Sequence, residues 1–160
     1  MKVKAIANNA LIAAIYVGIT FLTQSFAYLG IQFRIAEMLM LLAFFRKDYS
    51  IGLTLGCVIA NAFSPLGWVD VVFGTCATII SLLFITHSKN LVIASLYPVI
   101  FNGLIVGAEL YFVLELPFWL SMLQVMIGEF TVITIGGVLV FSQLRKNKYF
   151  MQLILANQNM

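Results

Sequence analysis

Six long apolar runs separated by short polar breaks make up most of this chain. The runs cover about residues 5–29, 31–45, 49–63, 69–86, 91–114 and 118–144. The breaks are Gly30, Arg46-Lys47-Asp48, Ser64-Pro65-Leu66-Gly67, His87-Ser88-Lys89-Asn90 and Glu115-Leu116-Pro117. A membrane-crossing helix needs about 20 residues, so the pattern predicts six transmembrane helices with short loops. Ser64-Pro65-Leu66-Gly67 has turn chemistry, and Pro117 suits the first turn of the sixth helix. After residue 144 come Arg145-Lys146-Asn147-Lys148 and a tail read as polar. No internal repeat or linker divides the chain. The expected organisation is one all-α integral membrane domain over 1–160, membrane-embedded over about 5–144, with 145–160 as a cytoplasmic tail.

Composition agrees: 62% of the 160 residues are hydrophobic and 9% charged, against about 25% charged in a soluble domain. The cations set an orientation. With six crossings, Lys2, Lys4, Arg46, Lys47, Lys89, Arg145, Lys146 and Lys148 all fall on one side, and the other side receives at most Arg34. Positive residues favour the cytoplasm, so both termini are expected there, in a bacterial cytoplasmic membrane. Trp68 and Trp119 then fall near the outer face, where interfacial tryptophans belong. The opening residues resemble the basic start of a signal peptide, but no small-residue cleavage site follows, so the first run is expected to be a retained helix. The net charge of +3 sits at membrane edges and is no nucleic-acid signal. Cys57 and Cys76 lie in apolar runs and read as small core hydrophobes.

Chemistry enters with the ionisable residues inside the runs: Arg34, Glu37, Asp70, Glu109 and Glu129. A charge at the centre of a membrane helix costs roughly 2.5–3.5 kcal/mol on insertion scales unless it is paired or faces a polar cavity. Arg34 and Glu37 are three apart and share a helix face, as a structural ion pair or as the lining of a ligand cavity. Asn61, Ser64, Trp68 and Asp70 gather around the third–fourth turn. There Asp70 can stabilise a helix N-terminus, Trp68 can belong to the interfacial belt, or both can serve a ligand. Asn102 and Glu109 are two turns apart on one face, and Glu129 follows Gly128. No cation lies in either of these helices. Arg34 serves one glutamate, or they carry protons, or a cationic ligand partners them. Ala10, Ala14 and Gly18 form a small-residue stripe on the first helix, which allows close helix approach within the bundle or against another membrane protein. No GxxxxGK[ST], HExxH or GxSxG occurs, and the single histidine, His87, lies in a break. The expected protein is not an enzyme and needs no metal or cofactor.

Arg34-Ile-Ala-Glu37, Gly56-Cys-Val-Ile-Ala-Asn61, Gly67-Trp-Val-Asp70 with Phe73-Gly74-Thr75, Asn102-Gly-Leu-Ile-Val-Gly107-Ala-Glu109 and Gly128-Glu129 together resemble the QueT family. Its members are substrate-binding S components of energy-coupling-factor (ECF) transporters that take up queuosine precursors. The resemblance spans about residues 5–144. It implies six helices with cytoplasmic termini, a transmembrane scaffold subunit and two separate ABC-type ATPases as partners. It maps the scaffold contact onto Ala10 and Ala14. The implied substrate is a deazapurine such as 7-aminomethyl-7-deazaguanine. Its N1–H and 2-amino donors suit a carboxylate, its 6-oxo group an Asn or Arg donor, its ammonium a second carboxylate and its ring an aromatic face. The expected substrate residues are Arg34, Glu37, Asn61, Trp68, Asp70, Asn102, Glu109 and Glu129. The alternatives are an S component for riboflavin, thiamine or biotin, and a proton-coupled small-molecule transporter.

Overall fold

The computed structural model describes residues 3–27 and 31–155. These residues are helical apart from short connections, with no strand among them. The helices are α1 (Val3–Leu22), α2 (Ile35–Phe45), α3 (Tyr49–Ala62), α4 (Trp68–His87), α5 (Leu91–Leu114), α6 (Phe118–Leu144) and α7 (Lys148–Leu155). One further turn, Gln24–Ala27, follows α1. The expected loop at Gly30, the cation Lys2 and the last residues of the tail, 156–160, lie outside the described residues.

Helices α1 to α6 take up the six apolar runs, but they are not equally long. Four of them, α1, α4, α5 and α6, are long and apolar enough to cross a membrane. This is a membrane protein with four such helices among the described residues, where the pattern of runs predicted six. Helices α2 and α3 are apolar but shorter. In α2, Ala36, Met40, Leu41 and Ala43 are buried in the main core, and Glu37 is buried beside them. Residues 31–34 are not helical at all, so the run that begins at residue 31 yields a helix only from Ile35. Its first part, Ile35–Leu41, is a 3-10 helix. Three residues per turn stack every third side chain, which puts Glu37 and Met40 on one inward line.

Two pairs of glycines four apart set how closely neighbouring helices meet. Helix α3 packs on α1 through Gly52 and Gly56. A methyl group on Gly52 would fall 2.5 Å from the Asn9 carbonyl oxygen, and one on Gly56 would fall 2.8 Å from Tyr16 Cβ. Asn9 Oδ1 accepts a 2.7 Å hydrogen bond from the Gly52 amide, which ties the two backbones together. Helix α6 packs on α5 through Gly103 and Gly107, which face Met126 and Met122. Small residues at this spacing let helix backbones approach closely. Gly56→Leu should therefore force α1 away from α3. Overpacking costs about 1–3 kcal/mol, and a clear fall in the thermal unfolding midpoint of the detergent-purified protein is the expected reading. An unchanged midpoint would mean that the α1–α3 seam has slack.

The charged end of the chain is more structured than its composition implied. Residues 148–155 form the amphipathic helix α7 instead of a polar tail. Asn147 caps it, its Oδ1 accepting from the Tyr149 and Phe150 amides at 2.9 and 3.3 Å. Ile154 is buried in the main core cluster. Arg46 is buried as well. It donates to the Ile154 carbonyl at 3.1 Å, to Asp48 at 2.9 and 3.2 Å, and lies over the Tyr49 ring. A cation at a helix C-terminus complements the helix dipole. Two other expectations meet the structure differently. Cys57 is buried as expected, whereas Cys76 is exposed on the outer face of α4. It belongs to the apolar surface, not the core.

Candidate functional site

The polar residues of the apolar runs converge from four helices on one buried cluster. The centre is Asn102, in the middle of α5. Its Nδ2 donates to Glu37 Oε2 at 2.6 Å and to Glu129 Oε1 at 3.0 Å. One amide, with two hydrogens, thus holds two carboxyl groups from α2 and α6. Arg34, the residue before α2, continues the chain of contacts. Its Nη1 lies 3.4 Å from Glu37 Oε1, and its Nη2 lies 3.8 Å from Asp70 Oδ1. Asp70, in the first turn of α4, neighbours the carboxyl of Glu109 near the end of α5. The order of side chains is therefore Glu129, Asn102, Glu37, Arg34, Asp70, Glu109. Glu37 and Glu109 are 0% exposed, and the others are buried too.

Local features of the sequence make this convergence possible. Arg34 and Glu37 are three apart, but Arg34 has backbone angles of φ −80 and ψ 79 and is not yet helical. The pair forms across a helix start, not along an α-helical face. Gly74 leaves room for the neighbours: a Cβ there would fall 2.7 Å from Asn61 Nδ2 and 3.6 Å from Arg34 Nη1. Asn61, at the end of α3, donates to the Asp70 backbone carbonyl at 3.1 Å and to Cys57 Sγ at 3.3 Å. Cys57 Sγ in turn lies 3.2 Å from Thr78 Oγ1. Asn61 thereby fixes the first turn of α4, and with it Asp70. Gly67, at φ 54, makes the turn that starts α4. On α6, Glu129 is followed by a π-helical stretch, Phe130–Gly137, a local widening that often accompanies function.

The electrostatics of the cluster are one-sided. Four carboxyl groups surround one guanidinium, and they meet in pairs, Asp70 with Glu109 and Glu37 with Glu129. Two carboxyls in contact cannot both ionise cheaply without a proton or cation between them. The buried atoms here that lack a hydrogen-bond partner are mostly acceptors: Glu109 Oε1 and Oε2, Glu129 Oε2, Asn102 Oδ1 and Gln32 Oε1, with the hydroxyl of Thr75. Leaving a buried polar atom unpaired costs about 1–3 kcal/mol. The chemical complement of this cluster is a donor-rich group carrying positive charge.

Six of the eight residues singled out in the sequence form the cluster, and a seventh, Asn61, supports it. Trp68 does not join them. It is 81% exposed at the start of α4, and Trp119 is likewise exposed at the start of α6, at the same end of the bundle. Among the described residues, an aromatic side chain that reaches the cluster is Tyr16 of α1, buried within hydrogen-bond reach of Cys57 and close to Glu37, Arg34 and Glu129. Sequence reasoning passed over it. A tyrosine between Ile15 and Val17 in an apolar run was the available signal. Gln32 and Gly128 were also passed over as a pair. A Cβ on Gly128 would run into the Gln32 carbonyl, so the segment 31–34 lies directly against α6 one residue before Glu129. Ala10, Ala14 and Gly18 are away from the cluster, exposed on the outer side of α1 beside Leu55 and Ile59 of α3. Among the described residues no group of His, Cys, Asp and Glu is arranged to hold a metal ion.

Comparison with known proteins gives two findings. A family model described as "QueT transporter" matches residues 6–146. The chain is 36% identical over 152 residues to the queuosine precursor transporter QueT of Lactococcus lactis subsp. cremoris (strain MG1363), covering 85% of this chain and 89% of that protein. No solved structure matches.

Proposed function

Because the chain belongs to the QueT transporter family, we propose that it is the substrate-binding membrane subunit of an ECF-type importer for a queuosine precursor such as 7-aminomethyl-7-deazaguanine. The observation that carries the reading is the buried cluster Glu129–Asn102–Glu37–Arg34–Asp70–Glu109, short of donors and of positive charge. That precursor is a flat donor-rich ring with a cationic arm. It offers the cluster what its own side chains lack. Tyr16 takes the part of aromatic wall for which Trp68 was a candidate, and Trp68 and Trp119 mark the membrane interface.

In this reading the chain is one domain in the cell membrane with both termini in the cytoplasm, α2 and α3 completing six passes as short, inward segments. The cations at Lys4, Arg46, Lys47, Lys89, Arg145, Lys146 and Lys148 support that orientation. The cluster then lies toward the outer face, at the end marked by Trp68 and Trp119. The chain carries no ATP-binding loop, so hydrolysis falls to separate ATPases joined through a scaffold subunit. The exposed stripe at Ala10 and Ala14 is the proposed scaffold contact.

Purifying the protein from cells supplied with the precursor and identifying the bound small molecule by mass spectrometry tests the substrate. Recovery of riboflavin, thiamine or biotin would replace it. Uptake that persists without co-expressed scaffold and ATPases would favour a proton-coupled transporter. Two further results are expected. A cysteine at Lys146 should resist an impermeant thiol reagent in intact cells, and labelling there would invert the topology. Ala14→Trp should stop uptake while leaving ligand affinity unchanged, since only the close approach of a partner is lost. Normal uptake by Ala14→Trp would put the scaffold elsewhere.

A further inference from the structure

We propose that the empty cluster holds two protons, one on Glu109 and one on Glu129, and that the ammonium of the ligand enters by displacing one of them. This rests on the substrate reading above and adds a proton count to it. Four carboxyl groups are buried here in two touching pairs, Asp70 with Glu109 and Glu37 with Glu129. Fully ionised, they would set four negative charges against the one positive charge of Arg34. The other lysines and arginines of the chain lie in its polar breaks or at its ends. Two carboxyls in contact share one proton readily, whereas two negative charges there are expensive. One proton per pair leaves two carboxylates facing one guanidinium.

The contacts decide which member of each pair carries the proton. Arg34 touches one carboxyl of each: Glu37 at 3.4 Å and Asp70 at 3.8 Å. Those two are the carboxylates. Glu109 and Glu129 are 0% and 1% exposed, yet neither oxygen of Glu109 receives a hydrogen bond, and Glu129 Oε2 receives none. A protonated carboxyl is a donor as well as an acceptor. Glu109 then donates to Asp70, and Glu129 to Glu37, and each pair is satisfied from within. Among the described residues, the other titratable groups in reach are Tyr16 of α1 and Cys57 of α3. Both are neutral in their ordinary form near pH 7, so neither supplies a cation.

A second buried cation changes the count. Glu37 and Asp70 already face Arg34, and a buried charge without an opposite partner is costly. Loss of the proton from Glu109 or Glu129 makes a third carboxylate, which pairs the ammonium, and the proton leaves to solvent. Two carboxylates with one cation become three carboxylates with two cations, so the net charge of the cluster does not change. Either pair can serve.

Calorimetry in buffers of different ionisation enthalpy counts the protons. Near neutral pH, 7-aminomethyl-7-deazaguanine should release about one proton per ligand bound, and its affinity should rise about tenfold per pH unit while the displaced proton is still in place. The same ring without the aminomethyl arm should release none. Glu109→Gln and Glu129→Gln each keep a hydrogen for the partner carboxylate, so both should unfold at the parent's midpoint. At least one of them should bind the arm-bearing ring without releasing a proton. In the ligand-free parent, in a detergent without ester groups, infrared bands of protonated carboxyls should be present near neutral pH, and each variant should remove one. No proton release by the parent, equal release with both rings, or no such band would overturn the inference and leave the substrate reading standing. A parent that binds neither ring would overturn the substrate reading and the exchange with it, and the infrared bands decide the two protons without any ligand.

Discussion

Asn102→Asp should abolish ligand binding and destabilise the protein, though the two side chains are nearly the same size. The reason is a count of hydrogens. The Asn102 amide donates one hydrogen to Glu37 at 2.6 Å and one to Glu129 at 3.0 Å. A carboxylic acid has one hydrogen to give and a carboxylate has none. An aspartate there loses at least one contact, and if ionised it becomes a third negative group against two carboxyls. Breaking a buried polar network by removing one partner costs about 3–5 kcal/mol, and a loss of binding of at least about 100-fold follows from a fraction of that. Calorimetry with the precursor and a thermal unfolding curve should both show the change. Binding within three-fold of the parent would mean that Asn102 does not organise the cluster. Asn102→Ala is the informative companion: it removes both donors without adding charge, so it should stand between parent and aspartate in stability.

Much of this site was legible because polar residues in apolar runs are expensive, and expensive residues must meet. Arg34, Glu37, Asp70, Asn102, Glu109 and Glu129 stand out by that rule alone, and they do meet. Their order was not legible. It depends on α2 entering the core as a 3-10 helix, and seven residues, nearly all apolar, have no periodicity by which to tell a 3-10 turn from an α-turn. The long helices α5 and α6 were readable to the residue because each is bounded by strong breaks, Asn90 and Glu115-Leu116-Pro117 before and after, then Arg145.

The misses have local causes. Helix α7 was hidden behind Arg145-Lys146-Asn147-Lys148. Those charges mark a membrane edge, yet Asn147 is a good cap and Phe150 and Ile154 are four apart. The seams at Gly52 and Gly56 and at Gly103 and Gly107 are visible as glycines four apart, but so is the stripe of Ala10, Ala14 and Gly18. The structure sends the first two inward and leaves the third on the surface. Spacing alone does not distinguish a helix that packs within the bundle from one that waits for a partner.

Gly128→Val should weaken ligand binding while leaving most of the fold intact. The glycine sits on α6 where residues 31–34 cross it, and a Cβ would collide with the Gln32 carbonyl carbon and oxygen. Those are backbone atoms, so no side-chain rotation relieves the clash. The segment must move, and it carries Arg34 two residues later. Arg34 is the single cation of the cluster, linking Glu37 at 3.4 Å to Asp70 at 3.8 Å. A displacement of even an ångström would part it from one of them. Misplacing a charge-assisted contact by that much should cost about 10- to 100-fold in affinity, or about 1.4–2.8 kcal/mol, with the larger share in faster dissociation. Gly128→Ala should fall between valine and parent. Gly18→Ala is the control, because a Cβ there meets nothing within 4 Å, and its ligand affinity should equal the parent's. Stopped-flow dissociation of the precursor from each purified variant gives the reading. If Gly128→Val releases ligand at the parent rate, residues 31–34 do not hold Arg34 in the binding position, and the weight of recognition shifts to the helices that carry Glu37, Asn102 and Glu129.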